Sequence, residues 1–545
     1  MLADPQNLGS ATVAAWLSSI TCHKPVSVSN VMEQPTSGGS ASLAFWGCLS
    51  LLAAAVAWPC VLALYHLFFS PLAAVPGPRL AAATAWYEFY WDCPRKGHYM
   101  FKIEQMHREY GPIVRINPWE VHIKDSAYWD TLYSNNKLDK DAWYYRAFGD
   151  NRGTVGTGPW ELHRLRRGAM ARFFSSANVS RLEPKVLARV QKLLYRILEH
   201  RISQKVVPIS HAFRCFATDV ISDYAAPHTR DFLSTPDFSA AFNQVLRDFS
   251  EIMLWHRHIP IVFPLFGAIP RWLLSAMDPT GAQVAVLDNQ ATVIATKGIP
   301  PEKASPTVLD AIYQSELLDL EEKTLPRMMA ETQALLGAGT ETTGNTLSTL
   351  TYHVLSNPAI LHKLKAELKD AAHGRKSPGG LLEFKILDKL PYLQSCIKEA
   401  LRLAVGVVGR LPRVNPVAPM SYTTPSGKTY ILPPNTVVSM SIRDMHTDET
   451  IFPNPHSFIP ERWLDNSNPE NLRQMEKAYA PFGRGVRACL GIELAKEELT
   501  LMAGNLFLHF DFDLFETTAK DVSILHDYFA PFGPKDSKGV RVTVR

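Results

Sequence analysis

The chain has 545 residues, 46% of them hydrophobic and 20% charged, the make-up of a globular protein with a large core. Lysine plus arginine number 56 against 52 for aspartate plus glutamate, a net charge of +4, and no basic run marks a nucleic-acid surface. The seven cysteines, at 22, 48, 60, 93, 215, 396 and 489, are odd in number and form no CxxC pair; this argues against a structural zinc site or a disulfide framework and fits a reducing compartment.

The first predicted element is residues 43–69, LAFWGCLSLLAAAVAWPCVLALYHLFF, with no Asp, Glu, Lys or Arg. As a helix it is about 40 Å long against a hydrocarbon core of roughly 30 Å, so it spans a bilayer with tilt, and Pro59 predicts a kink. The run is too long and starts too late for a cleaved signal peptide. Before it, residues 1–42 carry Asp4, Glu33 and a single Lys24, and read as an unstructured extension. After it come Arg79, Arg95, Lys96 and Lys102. That basic excess places the C-terminal body in the cytosol and residues 1–42 in the lumen. Residues 70–79, SPLAAVPGPR, hold three prolines and predict a stiff extended hinge.

Residues 80–545 read as one mostly helical body with small sheets. Helical periods run over 185–205, 309–375 and 393–403, and again after Gly491. Strand-like runs occupy 112–124, 429–431 and 436–442 and the C-terminal KGVRVTVR. Residues 372–388 predict an exposed excursion.

Within the apolar helix 325–357 lies GAGTETTG. Gly337, Gly339 and Gly344 each cost about 1 kcal/mol relative to Ala in a helix interior. Two readings stand: close helix–helix packing, or a groove in which a flat ligand meets the backbone beside Glu341 and Thr342. Farther on, KEALRL sets Glu399 and Arg402 on one face of an apolar helix. A buried pair of this kind needs further partners, and FIPERW offers Arg462.

The last motif is PFGRGVRACLG, residues 481–491. Its glycines allow positive φ and close approach to something flat. Cys489 sits just before a helix N-terminus, where N–H groups and the positive dipole end favour a thiolate. A lone cysteine thiolate fits an axial ligand of haem iron; the alternative is a free cysteine in a core turn.

With these motifs in order, the chain resembles a cytochrome P450 of the microsomal type from about residue 70 onward. Phe482, Gly485, Arg487, Cys489 and Gly491 match FxxGxRxCxG; Ala338 to Thr343 matches the small-Gly-x-acid-Thr helix segment; Glu399, Arg402 and Arg462 match the Glu-Arg-Arg triad. The resemblance implies a mainly α fold with small β-sheets behind one N-terminal transmembrane helix. It implies haem b, iron protoporphyrin IX, with Cys489 as iron ligand and Phe482, Gly485 and Gly491 shaping the loop. Thr342 and Glu341 would be the catalytic pair that delivers protons to oxygen. Arg487 and Arg413 would bind haem propionates, with Arg410 competing for the second place. The family's WxxxR helix is altered here: in PWELHRLRRGAMARFFSS, His163 and Arg167 take the two slots by one count and Trp160 and Arg164 by another. The choice falls on Arg167 among Arg164, Arg166 and Arg167.

KDAWYYRAFGDNRGTVGT followed by HRLRR and FFS is similar to fungal secondary-metabolism enzymes of the trichodiene-oxygenase-like group. That implies a terpenoid or polyketide substrate, hydroxylated or epoxidised with O2. The expected walls are the 140–158 loop with Trp143, Tyr144, Tyr145 and Phe148, the 240–275 stretch as lid, Ala334 and Leu335, Val405 to Val408, and the turn at Tyr528–Phe532. Electrons would come from NADPH through an NADPH-cytochrome P450 reductase docked on the cysteine side, with Arg484 a contact. The resemblance further implies a monomer in the endoplasmic reticulum membrane, single-pass, its catalytic domain in the cytosol. Two alternatives stay open: a haem-thiolate isomerase or dehydratase needing no reductase, and a non-catalytic haem-binding membrane protein.

Overall fold

The computed structural model describes residues 38–134, 137–149, 152–225, 231–269, 307–374, 378–465 and 467–545. The expected extension at 1–42 falls almost entirely outside the described residues. The chain divides into two units, Met1–Val61 and Leu62–Arg545.

The helices of ten residues or more are numbered in chain order. α1 (Gly38–Leu64) carries no charged residue. Pro59 lies inside it without ending it, and a five-residue π-helical turn, Tyr65–Phe69, follows. Residues 45–69 are long and apolar enough to cross a membrane, with their side chains unburied. The hinge departs from expectation. Residues 70–75 form turns rather than an extended link. Leu72 and Val75 are buried in a core cluster, and the Arg115 amide donates to the Pro76 carbonyl at 2.7 Å. A Cβ on Gly77 would meet the Arg115 carbonyl at 2.4 Å. The hinge is therefore fastened to the first strand.

α2 (Tyr99–Tyr110) leads into β1 (Ile113–Arg115) and β2 (Glu120–Ile123), an antiparallel pair within the strand-like run predicted at 112–124. Strand β3 (Asp139–Lys140), α3 (Trp160–Ala171), α4 (Ser176–Ile202), α5 (Ile209–Ala225) and α6 (Ala240–His258) follow. The helical period over 309–375 resolves into three pieces: a short helix Val308–Gln314, then α7 (Leu325–Ser356) and α8 (Pro358–Ala372). Pro358 has no N–H to continue α7, and the Asn357 side chain accepts from the amides of Ala359 and Ile360, capping α8. α9 is Pro391–Ala404. β4 (Arg413–Val414), β5 (Met420–Thr423), β6 (Thr429–Leu432) and β7 (Val437–Ser439) come next, then α10 (Pro469–Ala478) and α11 (Ile492–His509). β8 (Phe512–Leu514), β9 (His526–Tyr528), β10 (Ala530–Phe532) and β11 (Val542–Val544) close the chain.

The main sheet has the order β1-β2-β7-β4-β3, antiparallel except for the β2–β7 pair, which sets Glu120 opposite Val437. Its far edge pairs Lys140 of β3 with Arg413 of β4, which matters below. Of the excursion predicted at 372–388, the stretch from Leu381 to Leu387 is anchored to the core. Leu381, Leu382 and Leu387 are buried, and the Asn505 side chain of α11 bonds both the amide and the carbonyl of Leu382.

The largest core cluster gathers α4, α5, α7, α9 and α11 around Phe213, Phe216, Leu347, Leu393 and Leu501. Two of the α7 glycines are explained by this packing. A Cβ on Gly339 would touch Ile221 at 3.0 Å, and one on Gly344 would reach Arg214 Cγ at 2.7 Å. Both positions face α5, where Thr218 and Thr340 share a hydrogen bond of 2.9 Å. Only Gly337 has open space before it. The helix-packing reading fits Gly339 and Gly344, and Gly337 alone of the three has room for a side chain.

Candidate active site

The cysteine loop is set by glycine geometry. Gly483 and Gly485 have φ of 66° and 68°, the left-handed region that side chains disfavour. A Cβ on Gly485 would lie 2.1 Å from the carbonyls of Tyr133 and Ser134. The turn returns on itself through the Cys489 amide, which donates to the Phe482 carbonyl at 2.8 Å. Gly491 is the residue before α11. Protein atoms crowd Cys489 from every side, yet its surface is not covered. Burial raises the thiol's pKa, and the Gly491 amide and Arg167 only partly oppose this.

Around the loop lies a concentration of positive charge. Arg167 Nη1 donates to the Ala488 carbonyl at 2.6 Å. Arg487 donates to the carbonyls of Thr157 (3.0 Å) and Gly158 (2.7 Å), and its Nε is buried without a partner. Arg413 donates to the Pro412 carbonyl at 3.0 Å and lies over the Tyr133 ring. Lys140 donates to the Val155 carbonyl at 2.6 Å and sits 4.4 Å from the Tyr145 ring centre. Among the described residues none of these four pairs with a carboxylate. Burial, with Arg413, Arg487 and Arg167 nearby, drives the Lys140 ammonium well below its usual pKa. Burial and Arg413 bring Arg487 down to about 10. His163 is brought down to about 2 by burial and then by Arg487. Bringing so many like charges together is costly, and among the described residues only Asp139 acts on Arg487 as a nearby carboxylate charge; these are the residues that could hold anionic groups.

The competing arginines are engaged elsewhere. Arg410 is held by Glu120 (2.6 and 2.9 Å) and Glu88 (2.6 Å) in a buried cluster. Arg166 makes a two-point pair with Glu322 at 2.6 and 2.8 Å. Arg164 lies over Trp160, the other pair of matching spacing. Arg484, expected on a docking surface, is bound to Asp130 at 2.9 Å and to the Lys477 carbonyl at 2.6 Å.

On α7 the expected catalytic pair is split. Thr342 is partly open and donates to the Ala338 carbonyl at 2.7 Å, the back-bonding that bends helices. Ala338 is exposed although α7 runs through the core, so Ala338 and Thr342, one turn apart, form an open stripe. Glu341 turns instead to α5, where Arg214 grips it at 2.8 and 2.6 Å. Gly406, after the left-handed Val405, stands 3.6 Å from Thr342 Cγ2 by the position of its absent Cβ.

The triad assembles as its residue types suggest. Glu399 accepts from Arg402 (3.0 and 2.8 Å), from Arg462 (3.0 Å) and also from the Trp463 indole (3.0 Å). All are buried.

The substrate walls are only partly as expected. Tyr144 lies under Arg257 and Arg410, and Tyr145 beside Lys140. Trp143 packs edge-on to Trp119. Phe148 meets another predicted wall, Phe529, at 4.9 Å, and Trp143 meets His258 of the 240–275 stretch at 5.3 Å. The Val408 amide ties the 405–408 loop to the Phe529 carbonyl at 3.1 Å. The lid segment 270–275 lies outside the described residues.

The model of the cytochrome P450 family matches residues 85–529. The chain belongs to the cytochrome P450 family. It is 39% identical over 500 residues to cytochrome P450 monooxygenase sdnE of Sordaria araneosa, covering 89% of this chain and 95% of that one. It is 38% identical to cytochrome P450 monooxygenase oblB of Cochliobolus heterostrophus (88% and 93%) and 37% identical to tryptophan 6-hydroxylase fscE of Fusarium equiseti (89% and 94%). This P450 is thus a monooxygenase with fungal relatives, and the family implies haem iron. The donor set suits that group: one sulfur for iron, and unpaired buried cations for two carboxylates. Sequence reading missed Lys140, a lone lysine in a two-residue strand that no periodicity marks. It missed Arg214, whose role depends on which face of α5 meets α7.

Proposed function

We propose that this P450 binds haem b through Cys489, hydroxylates or epoxidises a hydrophobic small molecule, and takes electrons from an NADPH-cytochrome P450 reductase. The observation that carries the reading is the meeting of the Cys489 loop with uncompensated cations through Arg167 and Arg487. Arg487, Arg413, Arg167 and Lys140 would hold the propionates, with His163 beside them. Phe482, Gly485 and Gly491 would keep the loop in the shape that aims the sulfur. When bound, haem supplies the chemistry of dioxygen reduction and oxygen-atom insertion. Thr342 would give and take a proton at Oγ1 after leaving the Ala338 carbonyl. Glu341 would take part once its Arg214 pair opens. Phe148, Phe529 and the 405–408 loop would shape an apolar pocket that orients substrate and excludes water.

The charge-free helix at 45–69 supports a single-pass anchor, and the basic excess after it supports a cytosolic catalytic body in the endoplasmic reticulum membrane. A terpenoid or polyketide intermediate of fungal secondary metabolism is the substrate class we favour. The test is turnover with reductase, NADPH and 18O2 on terpene and polyketide candidates. Products bearing one labelled oxygen are the expected result. NADPH-independent rearrangement without label would contradict the reading.

A further inference from the structure

His446 is fully buried and forms hydrogen bonds at both ring nitrogens. Its Nε2 lies 3.0 Å from the amide of Ala480. That amide can only donate, so Nε2 is the bare acceptor and the proton is on Nδ1. Nδ1–H then donates to the Arg402 carbonyl at 3.0 Å. Arg402 answers through Nη1, which donates to the His446 carbonyl at 2.8 Å. The imidazole is also clamped flat by the Tyr479 ring, 5.6 Å away and tilted by 17°.

Ala480 is where the cysteine loop departs from α10. Its amide goes to His446 and its carbonyl accepts from the Gly483 amide at 3.0 Å. Two residues on, the Phe482 carbonyl receives the Cys489 amide at 2.8 Å. A continuous series of hydrogen bonds thus runs from Glu399 and Arg402 through one imidazole to the turn that carries the sulfur. Burial followed by the Arg402 charge brings the ring down to about 3, so it stays in this neutral form.

We propose that His446 is a positioning residue: its neutral imidazole couples the Glu399–Arg402–Arg462 cluster to the cysteine loop and holds the loop in the shape that keeps the Cys489 sulfur on iron. This rests on the assignment of Cys489 as ligand. Nothing in the sequence motif would suggest it, since His446 lies in an unremarkable stretch 43 residues before the cysteine. An apolar side chain there leaves the Ala480 amide buried and unpaired, a penalty of the size of one lost hydrogen bond. Glutamine can keep both bonds, since its amide offers an acceptor and a donor.

The experiment uses the full-length holoenzyme in detergent and compares wild type, His446→Leu and His446→Gln. The readout is the reduced carbon-monoxide complex, followed in urea too dilute to change the far-ultraviolet circular dichroism. For His446→Leu the long-wavelength band, which reports thiolate ligation, should decay about tenfold faster than in wild type, the effect of one lost buried hydrogen bond. His446→Gln should restore most of the lifetime. Hydrogen exchange of the wild-type holoenzyme supplies a second measurement independent of any variant's folding: the Ala480 amide should be as protected as those of α9. A His446→Leu band as durable as wild type, or a rapidly exchanging Ala480 amide, would overturn the proposal. Cys489→Ser run alongside separates the two ideas, because a long-wavelength band surviving in that variant would remove the ligand assignment instead.

Discussion

Arg167 donates to the carbonyl of Ala488, 2.6 Å away and one residue before Cys489. The bond ties α3 to the cysteine loop and leaves the guanidinium without a carboxylate. Arg487, two residues before the cysteine, is in the same condition: carbonyl acceptors, one buried orphan nitrogen and, among the described residues, no carboxylate in a salt bridge with it. Two arginines meet at the loop with spare capacity, and that capacity defines the site.

Arg487→Leu and Arg410→Gln should therefore fail in different ways. Loss of the Arg487 guanidinium removes charge-assisted hydrogen bonds of about 1.5–3 kcal/mol each. The folded protein should release haem to an acceptor at least about tenfold faster; in the haem-free form the bonds lost to Thr157 and Gly158 are offset by removing a buried charge with an unpaired nitrogen, so its stability should change less than that of the Arg410 variant. Arg410→Gln leaves Glu88 and Glu120 buried with no cation, a loss of about 3–5 kcal/mol. It should lower the thermal midpoint with or without haem. Equal haem release from both variants would contradict the division of roles.

Lys140 gives a prediction in pH. Its folded pKa lies well below 10.5 because of burial and three neighbouring arginines. Between the folded and ordinary values the unfolded chain binds the extra proton, so this lysine's share of stability rises with pH. In the haem-free protein, Lys140→Met should be more stable than wild type near neutral pH, and the advantage should shrink as pH climbs toward the ordinary lysine value. Buried Glu497 and Glu498, raised to about 8, titrate alike in both proteins and cancel in the difference. In the holoenzyme the sign should reverse, with Lys140→Met losing haem sooner. Paired unfolding curves across pH, with and without haem, decide it.

The glycines of α7 separate cleanly. Gly337→Ala enters open space and should stabilise the fold by about 1 kcal/mol, the helix-propensity difference. Gly344→Ala meets the side chain and backbone of Arg214 and should destabilise by about 1–3 kcal/mol, the usual cost of overpacking. Denaturant midpoints measure both. Similar shifts of the same sign would contradict the packing account.

How much of this was legible beforehand follows from the range of the forces involved. The loop around Cys489 could be read because its signal is local: glycines at fixed offsets and a helix start. The triad could be read because an ion pair on an apolar helix face demands partners. The break at Asn357–Pro358 was written in the sequence as a cap and a helix breaker, but the apolar period on both sides concealed it. The Arg214 partner of Glu341 could not be read because adjacency in sequence says nothing of the 100° turn between successive helix positions; only the docking of α5 decides that its carboxylate meets Arg214. Tyr144 and Tyr145 are expected as pocket walls by their position in the chain. Their partners, Arg257, Arg410 and Lys140, come from distant segments that no local pattern connects.

The most direct test of the central claim is the reduced carbon-monoxide spectrum of full-length Cys489→Ser beside wild type. The wild-type protein should show the long-wavelength band of a thiolate-ligated haem, and the serine variant should lack it while keeping the same far-ultraviolet circular dichroism. A variant that folds, binds haem and retains that band would show that the iron is held by some other residue.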